Sequence, residues 1–301
     1  ICAVMLGIRP GVMSKTGASA EDVRFVKETL ISQQAGAALL YSPLGPLAAT
    51  LNTTDWRKFE TAMDFVNERS AASVETMLQA IESGQHLASW AGGCEPYLSK
   101  LLAGSSLPRN EVVLNAAGLL QGGVDTTANT LSWLLVHLAD NPREQELLFE
   151  ELTEVLGDGG FDNEALPRLP RLKAVIRESH RLTPTISANV RTLSEPIELI
   201  DTRRGGLAVT IPANTRMAFS SIGWSGDSAY AEAPEQFQPA RWMVPKAERK
   251  GSALEALDHN LLAHPFSFGP RMCLGARVAQ AELHAMIARL VRAFRFKTDV
   301  S

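Results

Sequence analysis

Residues 110–139 form an unusually long apolar segment with no proline until Pro142. As a helix rising about 1.5 Å per residue, such a segment crosses a whole domain, and the remaining elements have to be arranged around it. Helical periodicity also dominates upstream. Trp56, Phe59, Met63 and Val66 recur at steps of three and four after the start signal Asn52-Thr53-Thr54, and the pattern continues through Met77, Leu78 and Ile81. Breaks near Gly84 and at Ala91-Gly92-Gly93 separate this helix from the next. Between residues 193 and 219 the pattern shortens to alternating pieces: 197–200, a Gly205-Gly206 turn, 207–211, then Pro212-Ala213-Asn214. Residues 242–262 read as a polar, irregular connection. The expected fold is mainly α with a small β part, in one continuous unit over 1–301.

Composition excludes several functions. With 45% hydrophobic and 21% charged residues the chain can build a substantial core, and a formal charge of −4 leaves no basic footprint for nucleic acid. Cys2, Cys94 and Cys273 are far apart, without the spacing of a zinc site or a disulfide scaffold, which fits a reducing compartment. The opening residues show neither the basic start nor the cleavage site of a signal peptide and read as a helix end. No run of about 18 apolar residues marks a membrane-spanning helix.

Chemistry concentrates at Cys273, within Pro265-Phe266-Ser267-Phe268-Gly269-Pro270-Arg271-Met272-Cys273-Leu274-Gly275, directly before an apolar helical stretch at 276–294. Gly269 and Gly275 let the backbone approach a flat ligand, and Arg271 adds a cation two residues from the sulfur. A free thiol has a pKa of about 8.5, and a buried bare thiolate is costly unless a metal or cation takes its charge. The spacing suits a sulfur held against a cofactor with an anionic edge, such as haem iron with its propionates. The alternative is a buried core cysteine.

Two further segments carry polar groups in marked positions. In Gln121-Gly122-Gly123-Val124-Asp125-Thr126-Thr127, each mid-helix glycine costs about 1 kcal/mol relative to alanine, so a ligand or a packing contact should need the space. Asp125 and Thr126 offer a carboxylate and a hydroxyl suited to relaying protons; a helix-packing contact beside a solvated Asp is the alternative. In Glu178-Ser179-His180-Arg181, Glu178 and Arg181 share a helix face, which by itself reads as a solvated pair contributing about 0.3–0.5 kcal/mol. Lys173 and Arg177, one turn apart on the same expected helix (171–182), read either as a solvated face or as a docking surface. His180, His264 and His284 are assigned no role.

The segment around Cys273 resembles the cysteine-ligand loop of the cytochrome P-450 family, Phe-x-x-Gly-x-Arg-x-Cys-x-Gly, at Phe266, Gly269, Arg271, Cys273 and Gly275. The resemblance implies haem b (iron protoporphyrin IX) with Cys273 as the iron ligand, Arg271 on a propionate and Phe266 beside the sulfur. Residues 122–127 are similar to the family's distal helix, which makes Gly123 a flank of the oxygen pocket and Asp125 with Thr126 the acid–alcohol pair for proton delivery. Glu178 and Arg181 match the Glu-x-x-Arg helix, with Arg241, from Pro234-Glu235-Gln236-Phe237-Gln238-Pro239-Ala240-Arg241-Trp242, as third member of a buried network. Arg191 falls where many members place a second propionate-binding arginine.

The implied activity is hydroxylation of an apolar small molecule, sterol- or lipid-like, with dioxygen and electrons from a ferredoxin, a diflavin reductase being the alternative donor. A haem-thiolate isomerase or lyase acting on peroxides, or a non-catalytic fragment that does not retain haem, are the competing classes. Residues 51–65, Lys173 and Arg177 resemble the mitochondrial type, where the paired cations receive an acidic ferredoxin. The implied location is the matrix side of the mitochondrial inner membrane, the endoplasmic reticulum membrane being the alternative. The apolar stretch 35–51 reads as a mobile roof or as a surface for peripheral membrane association. The chain is expected to start mid-fold, with its targeting information outside it.

Overall fold

The computed structural model describes residues 17–84, 99, 102, 106–201, 205–229, 231–252, 254–258 and 265–299. Cys2, Cys94, His264 and the expected break at Ala91-Gly92-Gly93 lie outside the described residues. The chain divides into two compact units, 1–126 and 127–301.

The first unit is helical. Helix α1 (Ala20–Tyr41) is capped by Ser19, whose hydroxyl accepts from the N–H of Asp22 at 3.0 Å, and Glu21 and Asp22 place acid at its positive end. Helix α2 (Thr54–Glu82) begins at the expected signal: Thr53 accepts from the N–H of Trp56 at 3.2 Å, and Asn52 turns the chain at φ +47°. Gly36 lets the two helices close on each other, since a Cβ there would meet the Phe59 ring at 3.3 Å. Ala62, Val66, Val74, Met77 and Ala80 form the buried stripe of α2. Ser70 and Ser73 share it, polar members that hydrophobic periodicity cannot anticipate. The end of α1 and its connection to α2 leave Leu40, Leu44, Leu47 and Leu51 exposed.

Helix α3 (Arg109–Asp140) is the long helix expected from 110–139, contributing residues up to Thr126 to the first unit and the rest to the second. In the second unit, α4 (Pro142–Leu156), α5 (Pro170–Leu182) and α6 (Ala276–Ala293) pack Leu148, Leu152, Leu172, Val175, Leu283 and Ile287 with Leu134 and Leu138 of α3 into one core. Each such side chain contributes about 1.5–3 kcal/mol on leaving water. Glu151 of α4 accepts from the N–H groups of Arg171 and Leu172 at 2.8 and 3.0 Å, so a carboxylate fixes the N-terminus of α5.

The β part forms two antiparallel pairs. Strand β1 (Ala188–Thr192) pairs with β4 (Arg216–Ser220), and between them in sequence β2 (Ile197–Asp201) pairs with β3 (Leu207–Ile211). Gly205 and Gly206 both take positive φ at the turn, as the spacing implied. The region expected to be irregular beyond residue 242 contains short helical turns at Lys246–Arg249 and Glu255–Asp258, joined by a bidentate Arg249–Asp258 ion pair at 2.6 and 3.1 Å. Among the described residues no helix is long and apolar enough to cross a membrane.

Candidate functional site

Glu178 lies at the centre of the second unit's polar interior, fully buried together with Arg181 and nearly so with Arg241. Its Oε1 accepts from Arg181 Nη2 at 2.8 Å, Arg241 Nε at 2.9 Å and the N–H of Gln238 at 2.9 Å. Its Oε2 accepts from Arg181 Nε at 2.9 Å and Trp242 Nε1 at 2.7 Å. One carboxylate thus faces two guanidiniums, and main-chain carbonyls take the remaining donors: Arg181 bonds those of Ser225, Pro234 and Gln236, while Arg241 bonds those of Glu232 and Ala233. This overturns the solvated-face reading of Glu178 and Arg181. The forked guanidinium geometry lets each arginine hold the carboxylate and a loop at once.

The cysteine loop is shaped by its own backbone. The N–H of Cys273 donates to the Phe266 carbonyl at 2.9 Å, and that of Met272 to Gly269 at 3.0 Å. Ser267 and Gly269 take φ of +63° and +72°, so the glycine supplies a conformation that L side chains rarely adopt. Arg271 ends the short 3-10 turn Gly269–Arg271, and α6 follows from Ala276. Cys273 is a free, exposed thiol, which removes the core-cysteine alternative. A Cβ on Gly275 would lie 3.9 Å from its sulfur, so the glycine leaves that flank clear. Phe268, Met272 and Leu274 are also exposed, giving the loop an apolar surface beside the sulfur.

Helix α5 joins this loop to the buried node through His180, which sequence reasoning left without a role. Its ring packs on Phe266 with centroids 5.7 Å apart, and Nδ1 lies 2.9 Å from the Ile176 carbonyl. A carbonyl only accepts, so Nδ1 carries the proton. Burial pushes the His180 pKa below the ordinary imidazole value, outweighing that hydrogen bond. Phe266 is therefore seated on the helix turn that holds Glu178 and Arg181. The signal for this was contact between segments distant in sequence, which spacing does not encode.

The remaining expected residues are spread more widely. Arg191 is exposed on β1, opposite Met217, with Nη1 donating to the Val190 carbonyl at 2.8 Å. Arg177 lies over the Trp242 ring at 4.4 Å; burial lowers its pKa first, and the neighbouring Arg249 lowers it further. The pair Lys173 and Arg177 is half-buried rather than fully solvated. Among the described residues no cluster of three or more His, Cys, Asp and Glu could hold a metal ion.

In the first unit, Asp125 and Thr126 lie on α3 next to Gly122 and Gly123, all but Gly122 half-buried. The Thr126 hydroxyl donates to the Gly122 carbonyl at 2.6 Å, a back-bond to the preceding turn that tends to bend a helix.

Comparison with known proteins gives a family and relatives. A family model described as Cytochrome P-450 matches residues 1–301. The chain is 36% identical over 200 residues to the mitochondrial sterol 26-hydroxylase of Homo sapiens, covering 66% of this chain and 36% of that protein. It is 33% identical over 241 residues to that of Rattus norvegicus, covering 79% and 43%. It is 32% identical over 222 residues to the mitochondrial 25-hydroxyvitamin D-1 alpha hydroxylase of Homo sapiens, covering 73% and 38%. The chain spans less than half the length of these curated relatives.

Proposed function

The chain belongs to the cytochrome P-450 family, and from that premise we propose that it is the haem-carrying part of a monooxygenase hydroxylating an apolar, sterol- or lipid-like molecule. The loop 265–275 is the observation that carries this reading. Haem b is the cofactor of the family, and the residues present fit it. Cys273 offers an exposed soft ligand, Arg271 a cation for an anionic rim, Gly269 and Gly275 a backbone without obstructing side chains, and Phe268, Met272 and Leu274 an apolar surface to cover. Arg191 supplies a second cation from β1. When bound through the Cys273 thiolate, haem supplies activation of dioxygen, so that one oxygen atom enters a C–H bond of the substrate.

The chain's own residues set the conditions for that chemistry. The hydrogen bond from the Cys273 N–H to Phe266 and the seat of Phe266 on His180 hold the sulfur in place. The Glu178, Arg181 and Arg241 node ties the loops around α5 into one rigid support. Asp125 and Thr126 hold and pass protons, with Gly123, which carries no side chain, two residues before Asp125. Thr126→Ala in the full-length enzyme should leave substrate binding unchanged and lower product formed per NADPH several-fold, the balance appearing as peroxide, since general acid–base groups contribute on the order of 10²-fold. Coupling as tight as in the parent would move proton delivery elsewhere and favour the isomerase or lyase class.

The relatives named above are mitochondrial hydroxylases of a sterol and of 25-hydroxyvitamin D. On that likeness we place the enzyme on the matrix side of the mitochondrial inner membrane, with a ferredoxin as electron donor. The exposed Leu40, Leu44, Leu47 and Leu51 fit peripheral attachment to that surface, which vesicle flotation reads directly. Lys173 and Arg177 are the cations we assign to the ferredoxin. A Lys173→Gln, Arg177→Gln double variant should raise the KM for ferredoxin several-fold at low salt, and the loss should fade as the screening length shrinks to about 3 Å near 1 M salt. Equal rates across the salt series, with a diflavin reductase supporting turnover, would sink the ferredoxin assignment and favour the endoplasmic reticulum.

A further inference from the structure

Gln33 of α1 faces the glycine-bearing turn of α3, and its amide has only one productive orientation there. Nε2 donates to the main-chain carbonyl of Gln121; turned over, the amide would set oxygen against oxygen. Held this way, Oε1 is buried with no hydrogen-bond partner, an arrangement native proteins keep only where something offsets the desolvated acceptor. The Gln121 side chain answers from the other side: its Nε2 donates to Ser32 Oγ at 2.7 Å and lies 2.9 Å from Met63 Sδ. Ser32 is itself buried. Two glutamines therefore cross between α1 and α3, with α2 closing the third side.

The carbonyl of Gln121 is the one that accepts from the N–H of Asp125 in a regular α-helix. The next carbonyl, that of Gly122, already receives the Thr126 hydroxyl. Two successive carbonyls thus take side-chain donors where two glycines leave the helix least supported. Side-chain donors to in-helix carbonyls tilt them outward and bend the helix. We propose that Gln33 is a positioning residue: by drawing the Gln121 carbonyl toward α1, it sets the geometry of the turn that presents Asp125 and Thr126, and so the efficiency of proton delivery. Its catalytic consequence rests on the monooxygenase reading; its geometric part does not.

The test uses Gln33→Met, which keeps length and volume but has no N–H, with Gln33→Leu as a second variant, both in the full-length haem-loaded enzyme. Backbone hydrogen exchange of the peptide covering 121–127 should slow by about threefold or more as the carbonyl that Gln33 shares with the helix is left to the Asp125 N–H alone, while peptides of α2 stay unchanged. Substrate KM should hold within about twofold as product per NADPH falls several-fold, a split that general loosening does not produce. Unchanged exchange at 121–127 in both variants overturns the proposal. Altered exchange with full coupling overturns its catalytic part. An enzyme with no oxygenase turnover even as wild type would sink the functional reading and leave exchange alone to decide the geometry.

Discussion

Replacing Glu178 with Ala should lower the melting temperature of the full-length enzyme by roughly 3–10 °C and reduce its haem retention in proportion. The substitution leaves Arg181 and Arg241 as two buried guanidiniums without a counter-charge. Breaking a buried pair in this way costs about 3–5 kcal/mol, against about 5–15 kcal/mol of stability for a whole domain, and each kcal/mol is worth about 1–2 °C for a protein of more than about 250 residues. The indole N–H of Trp242 and the backbone N–H of Gln238 lose their acceptor too. Because His180 follows Glu178 by two residues and seats Phe266, damage to the node reaches the cysteine loop. Arg241→Lys should fall between wild type and Glu178→Ala, keeping the charge but losing the fork that spans Glu178, Glu232 and Ala233. Thermal unfolding followed by circular dichroism checks this. A shift below about 2 °C for Glu178→Ala would mean that water reaches the guanidiniums and that the node does not support the fold.

Legibility in the sequence followed how local each feature was. The Cys273 loop was readable because its glycines, arginine and cysteine are contiguous, and the structure adds the positive φ of Gly269 that such a turn requires. The long helix and the Gly205-Gly206 hairpin were readable for the same reason. By spacing alone Glu178 and Arg181 show only as an i, i+3 pair, and their burial is implied by the family resemblance rather than by periodicity, because it comes from Arg241, Trp242 and five main-chain carbonyls far along the chain. A carbonyl carries no residue identity, so no spacing rule points to it. His180 and Gln33 were missed on the same grounds: each is defined by a contact across the fold, to Phe266 and to the Gln121 carbonyl. The sequence alone presents Arg177 as a solvated or docking cation, and the structure adds its stack on Trp242.

The catalytic assignments rest on the proposed ligation of haem iron by Cys273, which predicts the loss of one spectral feature. The carbon monoxide difference spectrum of the dithionite-reduced, haem-loaded enzyme reads it directly. A thiolate donates charge to iron that a neutral hydroxyl cannot, so the parent enzyme should show the red-shifted band of thiolate ligation. Cys273→Ser should remove that band entirely, while Thr126→Ala and the Lys173→Gln, Arg177→Gln double variant retain it. A red-shifted band that persists at full intensity in Cys273→Ser would contradict the account, because the thiolate would then have to come from another cysteine and the loop 265–275 would have lost its assigned function.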